Sequence, residues 1–535
     1  MTESAGTPEN VSRRRFLTKV GMTGGAAALY GSLGALGLVA TPANAETVRF
    51  VPPTSTDLAA TSRRKKVAIL GAGTAGLTIA YELGKAGYDC HLIEARGRPG
   101  GRAWTVRGGD KHTDTDGVTQ VAKYDKGQYF NAGPSRIPSH HVTLDYCREL
   151  DVAVEPMINA NAQGFYYNEN TPTTDFGPLA STRITHRQAK ADAYGYIAEI
   201  LATVANQGAL NSLMSAADVE RVVAFANSFG GLSGGKYLGN NRRGYNTPPG
   251  AGDQPGTVAG PPPSMSAVLQ NQLGDRFAFE FGFDQAMMMW QPVGGMDRIS
   301  AALADAVGKH RITYNAEVTQ FDNTAQGVRI AYRRNGKLQR LDADYAVVTI
   351  PPMVLKTIPS NLSTATKDAL TVPVGSNTGR MGIQFKRRFW EQDFKIFGGV
   401  THTNLDVSGI YYPSFGYMSR KGVVVGYYSG AYTNLSVADR VTRAVEQGVK
   451  IHGEVYREEY QNSFSVAWPK VPYSLGGWVQ WPGGRGAAYL HLLQPDGNIY
   501  FAGDHLSYYT AWQNGAFLSA RKVVMDLHQR VTSTN

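Results

Sequence analysis

Apolar residues fall along the chain in two periods, and each change of period marks an element. Residues 66–70, Lys-Val-Ala-Ile-Leu, are apolar without alternation, the pattern of a strand buried on both faces. Residues 77–85 shift to three- and four-residue spacing, which predicts a helix, and 88–93 return to a strand. Beyond a Gly-, Asp- and Thr-rich loop at 104–123, residues 124–139 alternate aromatics with glycine, a strand entering a turn. Residues 141–150 and, mainly, 187–225 carry helical spacing. Residues 229–263 are dense in Gly and Pro and predict a long surface loop. Past Trp290 come a turn at 291–296, a helix at 297–307 and strands over 312–341, with turn signals at 323–327 and Asn335-Gly336. Residues 344–352 repeat the buried-strand pattern and 380–430 alternate as a meander. Residues 497–504 form a strand entering a Gly-acid turn, and 511–527 a closing helix.

Between the first strand and its helix stands Gly71-Ala72-Gly73-Thr74-Ala75-Gly76, a G-x-G-x-x-G loop. Gly71 allows the tight turn, Gly73 lets the backbone approach a pyrophosphate, and Gly76 lets helix and strand pack closely. The helix start at Thr74 and Ala75 offers free N–H groups and a positive dipole end to phosphates. Glu94, followed by Ala95 and Arg96, ends the second strand where it can accept hydrogen bonds from ribose hydroxyls. Such a loop alone is weak, and a Gly-rich turn in an ordinary βαβ unit is the competing reading; the flanking strands, helix and acid favour a dinucleotide. The stretch from Arg96 to Arg102, with Gly100 and Gly101, is a second Gly-rich, Arg-bearing loop that suits FAD better than NAD. Strands of this type recur near residues 67, 346 and 499, so the expected architecture is α/β plus α+β. It comprises a discontinuous Rossmann-like FAD-binding domain (60–108, 290–365, 480–535), an inserted mixed-sheet substrate domain (109–175, 366–479) and a helical domain (176–289).

Composition narrows this picture little. The chain has 535 residues, too many for one simple core, so two or three packed domains are expected. Of the +10 formal charge, +8 lies outside residues 1–45, spread without a dense basic run, so no nucleic-acid site is read. The two cysteines, Cys90 and Cys147, are too few for a thiolate metal site and need not pair. Ser12-Arg13-Arg14-Arg15-Phe16-Leu17 looks like a twin-arginine consensus. It precedes a mildly hydrophobic, Gly-containing run at 20–40 and an Ala43-Asn44-Ala45 cleavage site. Export by the twin-arginine machinery to the periplasm or the exterior is therefore expected, and a retained membrane anchor is the alternative.

Four separated motifs then coincide: KKVAILGAGTAGL with IEARGRPGGR, NAGPSRIP, PVGGMDRI, and IYFAGDHLSYYTAWQNGAFLSA. Together they resemble the flavin amine oxidases, and within them most closely the L-amino-acid oxidases. Fainter similarity, including FKRRFWE and WPKVPYSLGGW, covers most of the chain after Arg64. The resemblance implies that Asp504, after Gly503, binds the ribityl chain, and that Gly100, Gly101 and Arg102 lie by the isoalloxazine and pyrophosphate. It implies further that Gly295 and Met296 line the flavin and that Val318 gives backbone contacts to adenine. Gly133, Pro134, Ser135, Ala511 and Trp512 join this cofactor set, with Trp512 as the aromatic wall. Arg136 matches the arginine that grips the substrate α-carboxylate bidentately, and Tyr427 the second carboxylate partner. Family members carry a lysine, water-bridged to flavin N5, nine residues before the Phe389-Trp390-Glu391 segment; here that position is Arg380, which has no accessible neutral form. His140 and His141 border the pocket or cap a surface helix, and His505 falls near the flavin.

The implied function is oxidative deamination of an L-amino acid by O2 to a 2-oxo acid, ammonia and hydrogen peroxide, with Arg136, Tyr427, Trp512 and Arg380 as the working residues. A flavin amino-acid monooxygenase, an amine oxidase and a non-catalytic GDP-dissociation-inhibitor-like escort remain alternatives. Homodimers are common in the family and leave no mark on the sequence.

Overall fold

The computed structural model describes residues 64–169, 183–270 and 274–533. The expected export signal lies outside them. Strands β1 (Lys66–Leu70), β2 (Asp89–Ile93), β3 (Ile312–Thr313), β4 (Tyr345–Val348) and β5 (Ile499–Phe501) form one parallel sheet in the order β3-β2-β1-β4-β5. Val67, Ala68, Ile69 and Leu70 are all buried, as expected of a central strand covered on both faces. Each fully buried Ile or Leu side chain there contributes roughly 1.5–3 kcal/mol. Helix α1 (Thr74–Lys85) packs against both α2 (Asp297–Val307) and α3 (Gln513–Ser533). Ala68 and Leu70 instead join a core with Phe321, Ile330, Leu355 and Leu370. Phe321 and Ile330 belong to an antiparallel meander, Ala316–Thr324, Gly327–Arg334 and Lys337–Ala343. Its second turn puts Asn335 at φ 50° and Gly336 at φ 74°, the left-handed pair an Asn-Gly hairpin requires.

A seven-stranded mixed sheet carries the other large core. Gly379–Phe385 is central, antiparallel to Tyr460–Ala467 on one side and to Gly422–Ser429 on the other. The order continues through Gly409–Tyr411, Val400–Thr403 and Phe165–Tyr167 to Arg183–Thr185. This last edge strand lies inside the bounds expected for the helical domain, 176–289, but joins the mixed sheet because Ile184 pairs with Tyr166. Met381, Ile383 and Phe385 face a core with Phe389, Trp390 and Tyr456, and Phe464 and Val466 face a second with Trp104, Phe130 and Trp468. The pairing with Gly422–Ser429 slips once: Met381 opposes Tyr427 and Gly382 opposes Val425, which leaves Gly426 as an extra residue, a β-bulge.

The described chain divides into two compact units, Gly195–Tyr237 and the remainder. In the small unit Ala198, Ala202 and Ala226 are buried together, and Ser215 caps helix Ala216–Gly230 by accepting from the Asp218 N–H. The Gly- and Pro-rich segment expected to be loop is partly structured. It holds a short hairpin, Tyr245–Thr247 with Thr257–Val258, and a turn whose Arg243 is buried on Asp192 at 2.6 Å. Cys90 and Cys147 are free and buried, and burial pushes both thiols up to about 12. Among the described residues no helix is long and apolar enough to cross a membrane.

Candidate active site

The carboxyl ends of β1, β2, β4 and β5 open into one long cavity, where ligands of open parallel sheets sit. Its first wall is the glycine loop, and the three glycines differ in what they meet. Gly71 holds φ 112°, and a Cβ there would stand 2.6 Å from Thr349 Oγ1. A Cβ on Gly76 would stand 2.0 Å from the Gly71 carbonyl oxygen, so this glycine serves helix–strand packing and lies off the cavity. A Cβ on Gly73 would meet no protein atom within 4 Å, although Gly73 lines the cavity. That open space before the N-terminus of α1, with Thr74 and Ala75 beside it, fits a phosphate group.

Glu94 is fixed by two backbone donors, Ala72 N–H on Oε2 and Arg96 N–H on Oε1, both at 2.8 Å. Its remaining lone pairs line the cavity with Ala95 and Val318, the chemistry a ribose needs. Arg96 donates to the Pro472 carbonyl at 2.5 Å and to Ser474 Oγ at 2.9 Å. Arg102 donates to the Gly477 carbonyl at 3.2 Å and pairs with Asp504. The two arginines thus hold a strap, residues 468–478, whose Trp468, Tyr473, Ser474, Gly477 and Trp478 form a further wall. Asp504 accepts from the Ala511 N–H at 3.0 Å, and Ala511 adopts φ 73° just before Trp512. Gly100, Gly101, Gly503, Ala511 and Trp512 complete the lining at this level. A carboxylate for ribose, an open glycine cradle at a helix N-terminus, a second carboxylate and aromatic walls together fit FAD.

The far end is set by the mixed sheet. Arg380 lines the cavity and opposes Tyr428 across the sheet, its guanidinium carbon 4.1 Å from the Tyr428 ring centroid. Its Nη1 donates to the Asn131 carbonyl at 3.2 Å and to that of Gly133. Gly133 and Pro134 line the same end, and a Cβ on Gly133 would fall 1.9 Å from the Arg102 carbonyl, which no other residue tolerates. Arg136 does not itself line the cavity; its guanidinium carbon lies 5.8 Å from the ring of Trp512, which does, and 5.9 Å from that of Phe279. Its buried Nε has no hydrogen-bond partner. Burial pulls its pKa down, the Tyr411 and Tyr428 hydroxyls oppose that, and the charge of Arg380 adds to it. Among the described residues, no carboxylate pairs with Arg136 or Arg380. A side pocket shares the Arg380 and Tyr428 walls and extends past Asn131, Ser135, Gln291 and Tyr411.

Several expected residues stand elsewhere. Tyr427 is fully buried in the sheet core, stacked on Tyr432 at 4.1 Å, and does not line the cavity; Tyr428 does. The Gly426 bulge is the cause: it turns Tyr427 to the Val424 face and Tyr428 to the Val425 face. Met296 is core rather than cavity wall, its N–H held by Asn131 Oδ1 at 3.0 Å, and Gly295 packs on Thr105. Ser135 belongs to the side pocket. His141 is buried against Trp512 (ring centroids 5.2 Å apart) and meets Asp284 at 2.9 Å, while His140 meets the same oxygen at 3.0 Å. Burial lowers His505 to about 4. The strap and Tyr428 were missed as site residues, although WPKVPYSLGGW carried a signal for the strap.

Comparison with known proteins follows the same lines. Residues 74–215 and 256–528 match the family described as flavin containing amine oxidoreductase. The chain is 26% identical over 487 residues to YobN of Bacillus subtilis (strain 168), spanning 88% of this chain and 96% of that protein. It is also 26% identical over 491 residues to an L-amino-acid oxidase of Gloydius blomhoffii, spanning 88% and 90%. Among solved structures, a putrescine oxidase bound to putrescine aligns at TM-score 0.57 and 17% identity, over 87% of this chain and 99% of that one. Cyclohexylamine oxidase from Brevibacterium oxydans IH-35A aligns at 0.56 and 16%, over 88% and 99%.

Proposed function

We propose that this chain, which belongs to the flavin-containing amine oxidoreductase family and has FAD as its cofactor, deaminates L-α-amino acids with dioxygen as oxidant. Bound FAD supplies the electron acceptor: the substrate amine loses two electrons and two protons, which reach dioxygen as hydrogen peroxide, and water splits the resulting imine into 2-oxo acid and ammonia. Arg136 supports the amino-acid reading. A buried guanidinium with an unpartnered Nε and no acidic partner among the described residues, next to the Trp512 wall, is a receptor for a carboxylate. Tyr428 adds a hydroxyl at the same end of the cavity. The relatives named as L-amino-acid oxidases agree with this reading. The structural neighbours named for putrescine and cyclohexylamine share the fold, and a cationic amine lacking a carboxylate would meet two uncompensated guanidiniums here.

The test is a peroxide-coupled screen of the purified flavoprotein against the twenty L-amino acids, with D-isomers and simple amines as controls. L-amino acids should be turned over, and Arg136→Ala should abolish most of that turnover. Turnover confined to amines without a carboxylate, and indifferent to Arg136→Ala, would overturn the reading. Export remains part of the proposal: replacing Arg13 and Arg14 by lysine should trap the protein inside the cell, as fractionation would report.

A further inference from the structure

With a monocarboxylic amino acid bound, one positive charge at the site is left unmatched. Before oxidation the amine must be neutral, so a monocarboxylic amino acid brings one negative charge to the site and a dicarboxylic one brings two. Arg380 lines the cavity together with Trp512, whose ring lies 5.8 Å from the Arg136 guanidinium carbon, and the charge of Arg380 disfavours that of Arg136. Neither has an acidic partner among the described residues. Of the three acids lining the cavity, Asp504 is paired with Arg102 and Glu94 holds two backbone N–H groups, while Glu317 stands beside Val318 at the Glu94 wall. Gln291, a wall of the side pocket, donates to Glu155 at 3.1 Å, and among the described residues no acid lines that pocket itself.

The geometry of Arg380 suits a ligand. Only Nη1 is committed, to the Asn131 and Gly133 carbonyls, and the ring of Tyr428 supports the guanidinium plane. The Nε–Nη2 edge is left for a bidentate acceptor. Arg380 forms the wall common to the main cavity and the side pocket, and Ser135, the neighbour of Arg136 in the chain, lines that side pocket. His402, which feels the charges of both Arg136 and Arg276, stays neutral because burial lowers it to about 3, so it offers no charge of its own.

Resting on the amino-acid oxidase reading, we infer that the preferred substrates are dicarboxylic L-amino acids, the α-carboxylate on Arg136 and the side-chain carboxylate on Arg380. Arg380 is then a specificity-determining residue that a lysine-like proton relay does not describe. The experiment compares kcat/KM of the holoenzyme for L-glutamate and L-aspartate with L-glutamine, L-leucine, L-phenylalanine and L-lysine. Flavin absorbance is titrated in parallel with glutarate and with valerate. L-Glutamate should exceed L-glutamine by about 100-fold or more, the order expected when a charge-assisted bidentate pair is lost, and glutarate should bind more tightly than valerate. Arg380→Gln should collapse both ratios to within about tenfold of unity. A wild-type ratio already below ten, or preference for L-lysine, L-leucine or L-phenylalanine, would overturn this assignment while leaving the oxidase reading intact. Turnover confined to amines lacking any carboxylate would remove that reading and this assignment with it.

Discussion

Tyr427 and Tyr428 carry the same side chain one residue apart, and Gly426 gives them opposite surroundings. Tyr428→Phe should lower kcat/KM for amino acids by about tenfold, the worth of one hydrogen bond of about 1.4 kcal/mol. Tyr427→Phe, in the sheet core, should change it less than about twofold. Equal effects in steady-state kinetics would mean that the bulge does not orient the strand as described. Arg136→Ala should cost about 2–5 kcal/mol of transition-state binding, and Arg136→Lys should recover only part, since lysine cannot make the bidentate contact. Arg136 was singled out by sequence because its motif is contiguous, Gly133 to Pro138. Tyr428 was not: strict alternation puts Tyr427 on the face of Val423 and Val425, and nothing in Val424-Val425-Gly426 announces an extra residue except a glycine that a strand also tolerates.

At the level of elements, the glycine loop separates folding from binding. Gly76→Ala drives a methyl group into the Gly71 carbonyl and should lower apoprotein stability by more than about 2 kcal/mol. Gly73→Ala meets no protein atom, so the apoprotein should melt as the wild type does while FAD affinity falls about tenfold or more. Calorimetry of the apoproteins and fluorescence titration with FAD would distinguish them, and wild-type affinity in Gly73→Ala would show that the open space is not the cofactor's. Strand, loop and helix here are consecutive in sequence, so local pattern revealed them. The 468–478 strap is the contrary case. Tyr473 and Leu475 take left-handed backbone at φ 61° and 50°, a conformation their side chains do not favour. They hold it where Arg96 and Arg102, far earlier in the chain, grip the backbone on either side, at Pro472 and Gly477. Such long-range ties have no spacing to read, and the buried Arg243–Asp192 pair that organises a Gly- and Pro-rich stretch is another.

For the molecule as a whole, the discontinuous sheet was legible from three unalternating runs, 66–70, 344–352 and 497–504, while the Arg183–Thr185 edge strand was not, because its partner strand decides it. Burial holds four histidines neutral in the native state, His186 and His505 lowered to about 4 and His402 and His452 to about 3. Unfolded, they would titrate near 6.5. Below that pH the unfolded chain binds more protons, so stability should fall as pH drops from about 6.5 towards 4, at up to about 1.4 kcal/mol per pH unit for each histidine. Urea denaturation at pH 7.5, 6 and 5 checks this; a flat profile would mean that these histidines are not held neutral. Removing FAD should lower the melting temperature, since a ligand at 100 times its Kd contributes about 2.7 kcal/mol. The cavity draws its walls from Gly71 at one extreme and Ala516 at the other, with β5 and α3 supplied by the end of the chain. A ribosome part-way through the message therefore holds only half a socket. Cofactor loading therefore waits until the helix bearing Ala516 has been made, so a captured flavin certifies that the distant walls have met.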